Sequence, residues 1–244
     1  MFFTIGISIL IFVCMYFTIL LILRATRSEK SNCSKINLND HNDKSFSQFG
    51  QDLFVLKKTG YKKNGYYLEI GVCDGKNGSN TYLLDTKYEW KGLCIDVIMY
   101  NMEERTSKQY KGLVSNKVED VDFVFAEGLS GIKGLNSKWN NHALVQNGKI
   151  QKMKTEITQT VLDDYDVPLF VDYLSLDVEG SELSVLQGIN HKKHTFGIIS
   201  IEHNGIDSIR SDLFNFLTEK GYMRVETLGV DDIYVSKKYF HLLC

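Results

Sequence analysis

The chain has 244 residues, of which 43% are hydrophobic and 24% charged. Setting a short N-terminal stretch aside leaves about 200 residues, enough for one α/β domain with a full core. The formal net charge of −2 speaks against a nucleic-acid surface, which needs clustered excess Lys and Arg; the lysines at Lys62–Lys63, Lys152, Lys154 and Lys192–Lys193 read as solvated faces.

Phe2 to Leu23 carries no charge over 22 residues. At about 1.5 Å per residue such a helix spans roughly 33 Å, against a bilayer core of about 30 Å. A cleaved signal peptide would want a basic start, a shorter apolar run and a small-x-small site, whereas this segment has no Lys or Arg before it, is long, and runs straight into Arg24 and Arg27. Residues 1–23 are therefore expected to form a single transmembrane anchor. Arg24, Arg27 and Lys30 follow it, so the positive-inside rule leans towards a cytosolic catalytic domain, whereas the glycosylation sequon Asn32-Cys33-Ser34 would suit a lumenal one. Residues 24–45 are polar and aperiodic and read as a linker.

From residue 46 to 244 apolar strand-like runs alternate with helical segments, which predicts an α/β domain with a mostly parallel, Rossmann-like sheet. Ser47–Lys57 reads as a helix and Tyr66–Gly71 as the first core strand. The loop Val72–Gly78 follows, with a helix from about Ser79 to Leu84. Gly92–Asp96 is a second strand ending in a carboxylate, and Asp122–Phe125 an additional one. Gly128–Gln151 is rich in Gly and Asn and reads as an excursion near the site. Asp172–Asp177 is the next strong strand, with a helix from Ser181 to Gln187 stopped at Gly188. Phe196–Ile201 is another strand, Asp207–Lys220 an amphipathic helix. Tyr222–Val225 and Asp232–Val235 close the chain as an antiparallel pair. The five cysteines read as isolated thiols; neither CxxC nor a Cys/His zinc spacing occurs, and no metal site is expected.

The chemistry concentrates at strand ends. Gly71-x-x-x-Gly75-x-x-Gly78 turns the chain off the first strand, with Gly75 and Gly78 expected to let a ligand near the backbone. A dinucleotide fold carries GxGxxG here to receive pyrophosphate. The acids Glu69 and Asp74 repel pyrophosphate and favour an ammonium or sulfonium group, which points to S-adenosylmethionine. Asp96, 25 residues beyond Gly71, is placed to accept hydrogen bonds from ribose hydroxyls. Asp177, Glu179 and Glu182 surround one strand-to-helix turn and are expected to face the methyl end and the acceptor. His203, at the next strand end, is the candidate general base.

Four stretches occur in order: Ser47–Asp52, Tyr67–Gly75, Leu174–Glu182 and Ile201–Asn204. With them the chain resembles the FkbM family of methyltransferases from about Ser47 to the C-terminus. The resemblance implies a class I methyltransferase fold, S-adenosylmethionine as cofactor, and O-methylation with sugar hydroxyls among the acceptors. It also implies that Gln51 and Asp52 line the cofactor pocket with Glu69, Gly71, Asp74 and Asp96. The expected reaction is in-line methyl transfer to a small-molecule or glycan hydroxyl, with acceptor specificity in the excursion around Trp139, Asn140, Asn141 and His142. Two rivals stand beside it: a membrane adaptor that has lost turnover, and a NAD- or nucleotide-sugar-dependent enzyme.

Overall fold

A computed structural model describes residues 42–135 and 138–244. The expected anchor at Phe2–Leu23 and nearly all of the linker lie outside the described residues, and among those described no helix is long and apolar enough to cross a membrane.

The chain opens with helix α1 (Gln51–Lys58), then strands β1 (Tyr66–Ile70) and β2 (Cys73–Asp74), helix α2 (Tyr82–Tyr88), and strands β3 (Lys91–Asp96), β4 (Met99–Tyr100), β5 (Lys108–Lys111), β6 (Leu113–Ser115), β7 (Asp120–Phe125) and β8 (Gly131–Ile132). The short helix α3 (Ala143–Gln146) and strand β9 (Lys149–Ile157) complete the excursion. Then come α4 (Thr158–Asp164), β10 (Phe170–Leu176), α5 (Glu182–Gln187), β11 (Thr195–Glu202), α6 (Asp207–Glu219), β12 (Tyr222–Leu228) and β13 (Asp231–Ser236).

Seven strands form the main sheet in the order β12-β13-β11-β10-β1-β3-β5. Pairing is parallel from β11 through β10, β1 and β3 to β5, and only β13 runs antiparallel to its neighbours. This is the expected mostly parallel sheet with an antiparallel C-terminal strand. Chain order reverses between β1 and β10, so their carboxyl ends flank the switch point where ligands of such sheets bind.

Both faces are covered, and strand alternation decides what each receives. Leu68, Ile70, Leu93, Ile95, Leu174, Leu176, Ile199 and Ile201 face α4, α5 and α6 through Val161, Leu162, Val185, Leu186, Leu213 and Leu217. Tyr67, Cys94, Tyr173, Ile198, Ile233 and Val235 pack under α1 and α2 against Val55, Leu56, Leu83 and Leu84. The first core strands are therefore apolar on both sides, which is why they read as continuous hydrophobic runs.

Six strands, β2, β4, β5, β6, β8 and β9, lie outside the expected runs. The edge strand β5 is Lys-Gln-Tyr-Lys, and edge lysines discourage pairing with another chain. Strand β9 is largely exposed; it pairs β6 and β7 in a separate four-stranded sheet, β6-β9-β7-β8, that also takes in the predicted strand at Asp122–Phe125. The isolated-thiol reading holds for Cys73 and Cys94, which are free, and fails for Cys244, which is disulfide-bonded.

Candidate active site

A cavity of about 380 Å³ opens over the carboxyl ends of β5, β3, β1 and β10, within the size range of small-molecule sites. Four adjacent strands at about 4.8 Å spacing span roughly 14 Å, so an elongated ligand fits across them. Gly112, Leu113 and Val114 line the β5 end, Asp96, Val97 and Ile98 the β3 end, and Glu69 to Asp74 with Asn77, Gly78 and Asn80 the β1 end. Asp177, Val178 and Glu179 line the β10 end, while Phe123, Glu127, Ser130, Gly131 and Ile132 form the roof. Among the described residues, six acidic residues line the cavity and no Lys, Arg or His does.

The glycine loop is held at both ends. Gly71 N donates to Ile95 O at 2.9 Å, and Asp177 N donates to Ile70 O at 2.9 Å. Asp96 Oδ2 accepts from Val72 N (2.6 Å) and Cys73 N (2.9 Å), and Oδ1 accepts from Ile98 N (3.1 Å). Burial raises the Asp96 carboxyl, and these backbone donors oppose that. A carboxylate offers about four acceptor positions, so Asp96 fixes the loop and keeps capacity for a hydroxyl. Asp74 lines the cavity and caps its own turn, accepting from Lys76 N and Asn77 N. Burial acts to raise Asp74, but those donors with Asn77 and Asn101 side chains outweigh it and hold it low.

Glu69 borders the cavity with its carboxylate turned away from a ligand. It accepts from Ser79 Oγ (3.0 Å), Asn80 N (3.1 Å) and Thr81 Oγ1 (2.7 Å). It also pairs with Arg105, whose side chain is 0% exposed. Arg105 binds Asp85 (3.2 Å), Tyr67 Oη (2.8 Å) and Gly75 O (2.8 Å) as well, tying β1, the loop and the start of α2 into one unit. The sequence pattern gave no hint of Arg105 by position. Its residue type did: the domain holds only three arginines, Arg105, Arg210 and Arg224, and all three make short ion pairs. A planar guanidinium with five donors suits such junctions where Lys does not.

Three expected cofactor residues are placed otherwise. Gly75 does not line the cavity; a Cβ there would meet Met102 Sδ at 2.3 Å, so this glycine serves packing against the β4 segment. Asp52 is fully buried and accepts from Ser45 Oγ, Phe46 N and Ser47 Oγ, fastening the segment before α1. Gln51 stands one layer behind the cavity, donating to Asp231 Oδ2 at 2.8 Å.

At the β10 end, Asp177, Glu182 and Glu202 each bring a carboxylate oxygen to within 4.8 Å of the others. Such a set can share a proton or hold a cation; the sequence pattern assigned no metal here. Burial, the Glu202 charge and a hydrogen bond to it push Asp177 well above the usual carboxylate range. Burial pushes Glu202 up to about 8, with the Asp177 hydrogen bond opposing and the charges of Glu179, Glu182 and Asp231 adding. One proton is thus held between Asp177 and Glu202 near neutral pH. Glu182 does not reach the cavity: it accepts from Val178 N and Gly180 N and closes the turn. Asn204 Nδ2 donates to Glu202 Oε2 (2.6 Å) and Glu179 Oε2 (3.3 Å), while its Oδ1 accepts from Trp139 Nε1 (3.2 Å). The excursion is thereby pinned to the carboxylate rim.

His203 is corrected. Strand alternation puts Glu202 and Asp231 on the α1/α2 side and His203 and Asp232 on the α6 side. His203 Nε2 lies 3.9 Å from Asp232 Oδ1, and Asp232 is bound by Arg210 and Arg224. The imidazole therefore faces a structural ion cluster and does not line the cavity.

The switch-point cavity, the strand-end carboxylate Asp96 and the single reversed strand define a Rossmann-like methyltransferase domain. The family model of the methyltransferase FkbM domain matches residues 69–224, and the chain belongs to that family of methyltransferases. No curated protein matches the chain.

Proposed function

We propose that the chain is an S-adenosylmethionine-dependent O-methyltransferase acting on a hydroxyl of a sugar, glycan or related small acceptor, held at a membrane by a helix at Phe2–Leu23. The observation that carries the cofactor is the lining: acids, Asp74, Asp96 and Glu127 among them, with no basic side chain among the described residues, repel a pyrophosphate and attract a sulfonium cation. When bound, that cofactor supplies a methyl already activated for transfer, leaving a neutral thioether.

The chain's own work is then placement and proton removal. Asp96 receives a ribose hydroxyl at the β3 end, and the apolar Val97, Ile98, Leu113 and Val114 enclose the base. Asp177 borders the cavity and lies beside Glu202, so this pair would take the proton of an acceptor hydroxyl. Such a positioned base contributes typically 10²- to 10⁴-fold. Trp139, whose indole N–H donates to Asn204, lies on the excursion that would set acceptor specificity.

Cys244 is disulfide-bonded. Disulfides persist in oxidising compartments, and the Asn32 sequon fits the same side, where glycan hydroxyls are presented. The proposal therefore places the domain on that side, against the lean of the three basic residues.

Calorimetry with S-adenosylhomocysteine and NAD⁺, followed by labelled-methyl transfer over a panel of glycans and small alcohols, tests the reading. Binding of the first ligand alone, with label appearing on a hydroxyl, is expected. NAD⁺ binding without S-adenosylhomocysteine binding would overturn it.

A further inference from the structure

Asn80 is 8% exposed, and its amide is fixed on two sides. Its backbone N–H donates to Glu69 Oε1 at 3.1 Å, and Nδ2 donates to Ser175 Oγ at 2.9 Å. Its Oδ1 is buried and has no hydrogen-bond partner among the described residues. A buried acceptor left unpaired costs about 1–3 kcal/mol, and this one belongs to a residue lining the cavity. A ligand donor reaching this oxygen would satisfy it.

Strand order says which part of the ligand arrives there. Asp96 at the β3 end takes the ribose, and the base lies towards β5. The remaining half must extend the other way, over β1 and β10, where Asn80 bridges Glu69 of one strand and Ser175 of the other. In S-adenosylmethionine that half is an amino acid, and its donor is the α-ammonium. The strand-end acid Glu69 would be the obvious acceptor, but its oxygens are already taken by Ser79, Asn80 N, Thr81 and Arg105.

Resting on the cofactor reading above, we infer that Asn80 Oδ1 is the acceptor that recognises the α-ammonium of the cofactor, in place of the strand-end carboxylate Glu69.

The test uses the full-length chain in detergent and two probes, S-adenosylhomocysteine and its desamino analogue, which keeps the carboxylate and lacks the ammonium. Asn80→Ala is expected to weaken S-adenosylhomocysteine about tenfold, or ~1.4 kcal/mol, while leaving the desamino analogue unchanged. Asn80→Asp keeps an acceptor oxygen and is expected to bind S-adenosylhomocysteine at least as tightly as wild type, which carries the test if the alanine variant does not fold. Equal losses for both probes, or a loss in Asn80→Asp matching that in Asn80→Ala, overturn the assignment to Asn80. A wild-type chain that binds neither probe overturns the cofactor reading itself, a different outcome from a wild type that binds both alike.

Discussion

The carbonyl oxygen of Asp177 occupies the space that a side chain on Gly71 would need: a Cβ built there would lie 1.5 Å from it. The two carboxyl ends that flank the switch point thus touch backbone to backbone. Gly71 also has φ +87°, a conformation that costs other residues strain. Gly71→Ala is therefore expected to leave no folded, ligand-binding protein. Gly78 has φ +83° with nothing within 4 Å, so Gly78→Ala meets strain alone, about 1 kcal/mol. Melting curves of the two variants separate clash from strain; a Gly71→Ala protein as stable as Gly78→Ala would refute the close approach.

Arg105 supports the same loop from below. Its loss leaves Glu69 and Asp85 buried without a counter-charge, and breaking a buried pair costs about 3–5 kcal/mol. Arg105→Ala is expected to lower the melting temperature by on the order of 10 °C. Arg105→Lys should recover little, because one ammonium cannot reach Gly75 O, Tyr67 Oη and Asp85 together. A lysine variant melting with the wild type would show that charge alone suffices.

The strands that are buried on both faces, β1, β3, β10 and β11, were legible as apolar runs, and their terminal acids Glu69, Asp96 and Asp177 marked the ligand edge. Which face those acids serve was not legible. A one-residue step along a strand reverses the side chain, and nothing local says whether Glu202 or His203 turns to the face where Asp177 lies. Glu69 illustrates a second limit: an acid at a strand end looks the same whether it meets a cofactor or a buried arginine 36 residues away. Arg105 and β5 sit in a polar stretch whose pattern matches an ordinary loop.

His203→Ala follows from the face assignment. The imidazole is held below its usual range by burial, with Asp232 opposing and Arg210 reinforcing, and it does not line the cavity. S-adenosylhomocysteine affinity and methyl transfer are expected to stay within about twofold of wild type, with a modest loss of melting temperature typical of a trimmed structural contact. A variant that folds, binds S-adenosylhomocysteine and has lost transfer would return His203 to the reaction.

The Asp177–Glu202 pair makes stability and activity respond to pH in opposite directions. Glu202 titrates from 4.5 when unconstrained and is pushed up to about 8 in the folded chain by burial and its acidic neighbours. A group whose folded value is raised stabilises fully below its unfolded value and loses that contribution as pH rises through the folded value. The melting temperature should therefore fall between about pH 5 and pH 8, while methyl transfer rises over the same interval as the pair gains its base form. Glu202→Gln keeps the acceptor for Asn204 Nδ2 and cannot ionise. Its melting temperature should change less with pH than the wild type's, and its transfer rate should fall by about 10²-fold. Melting scans at pH 5 and pH 8 on both proteins decide the matter: identical pH dependence in wild type and Glu202→Gln would mean that the proton between Asp177 and Glu202 is not the one that titrates.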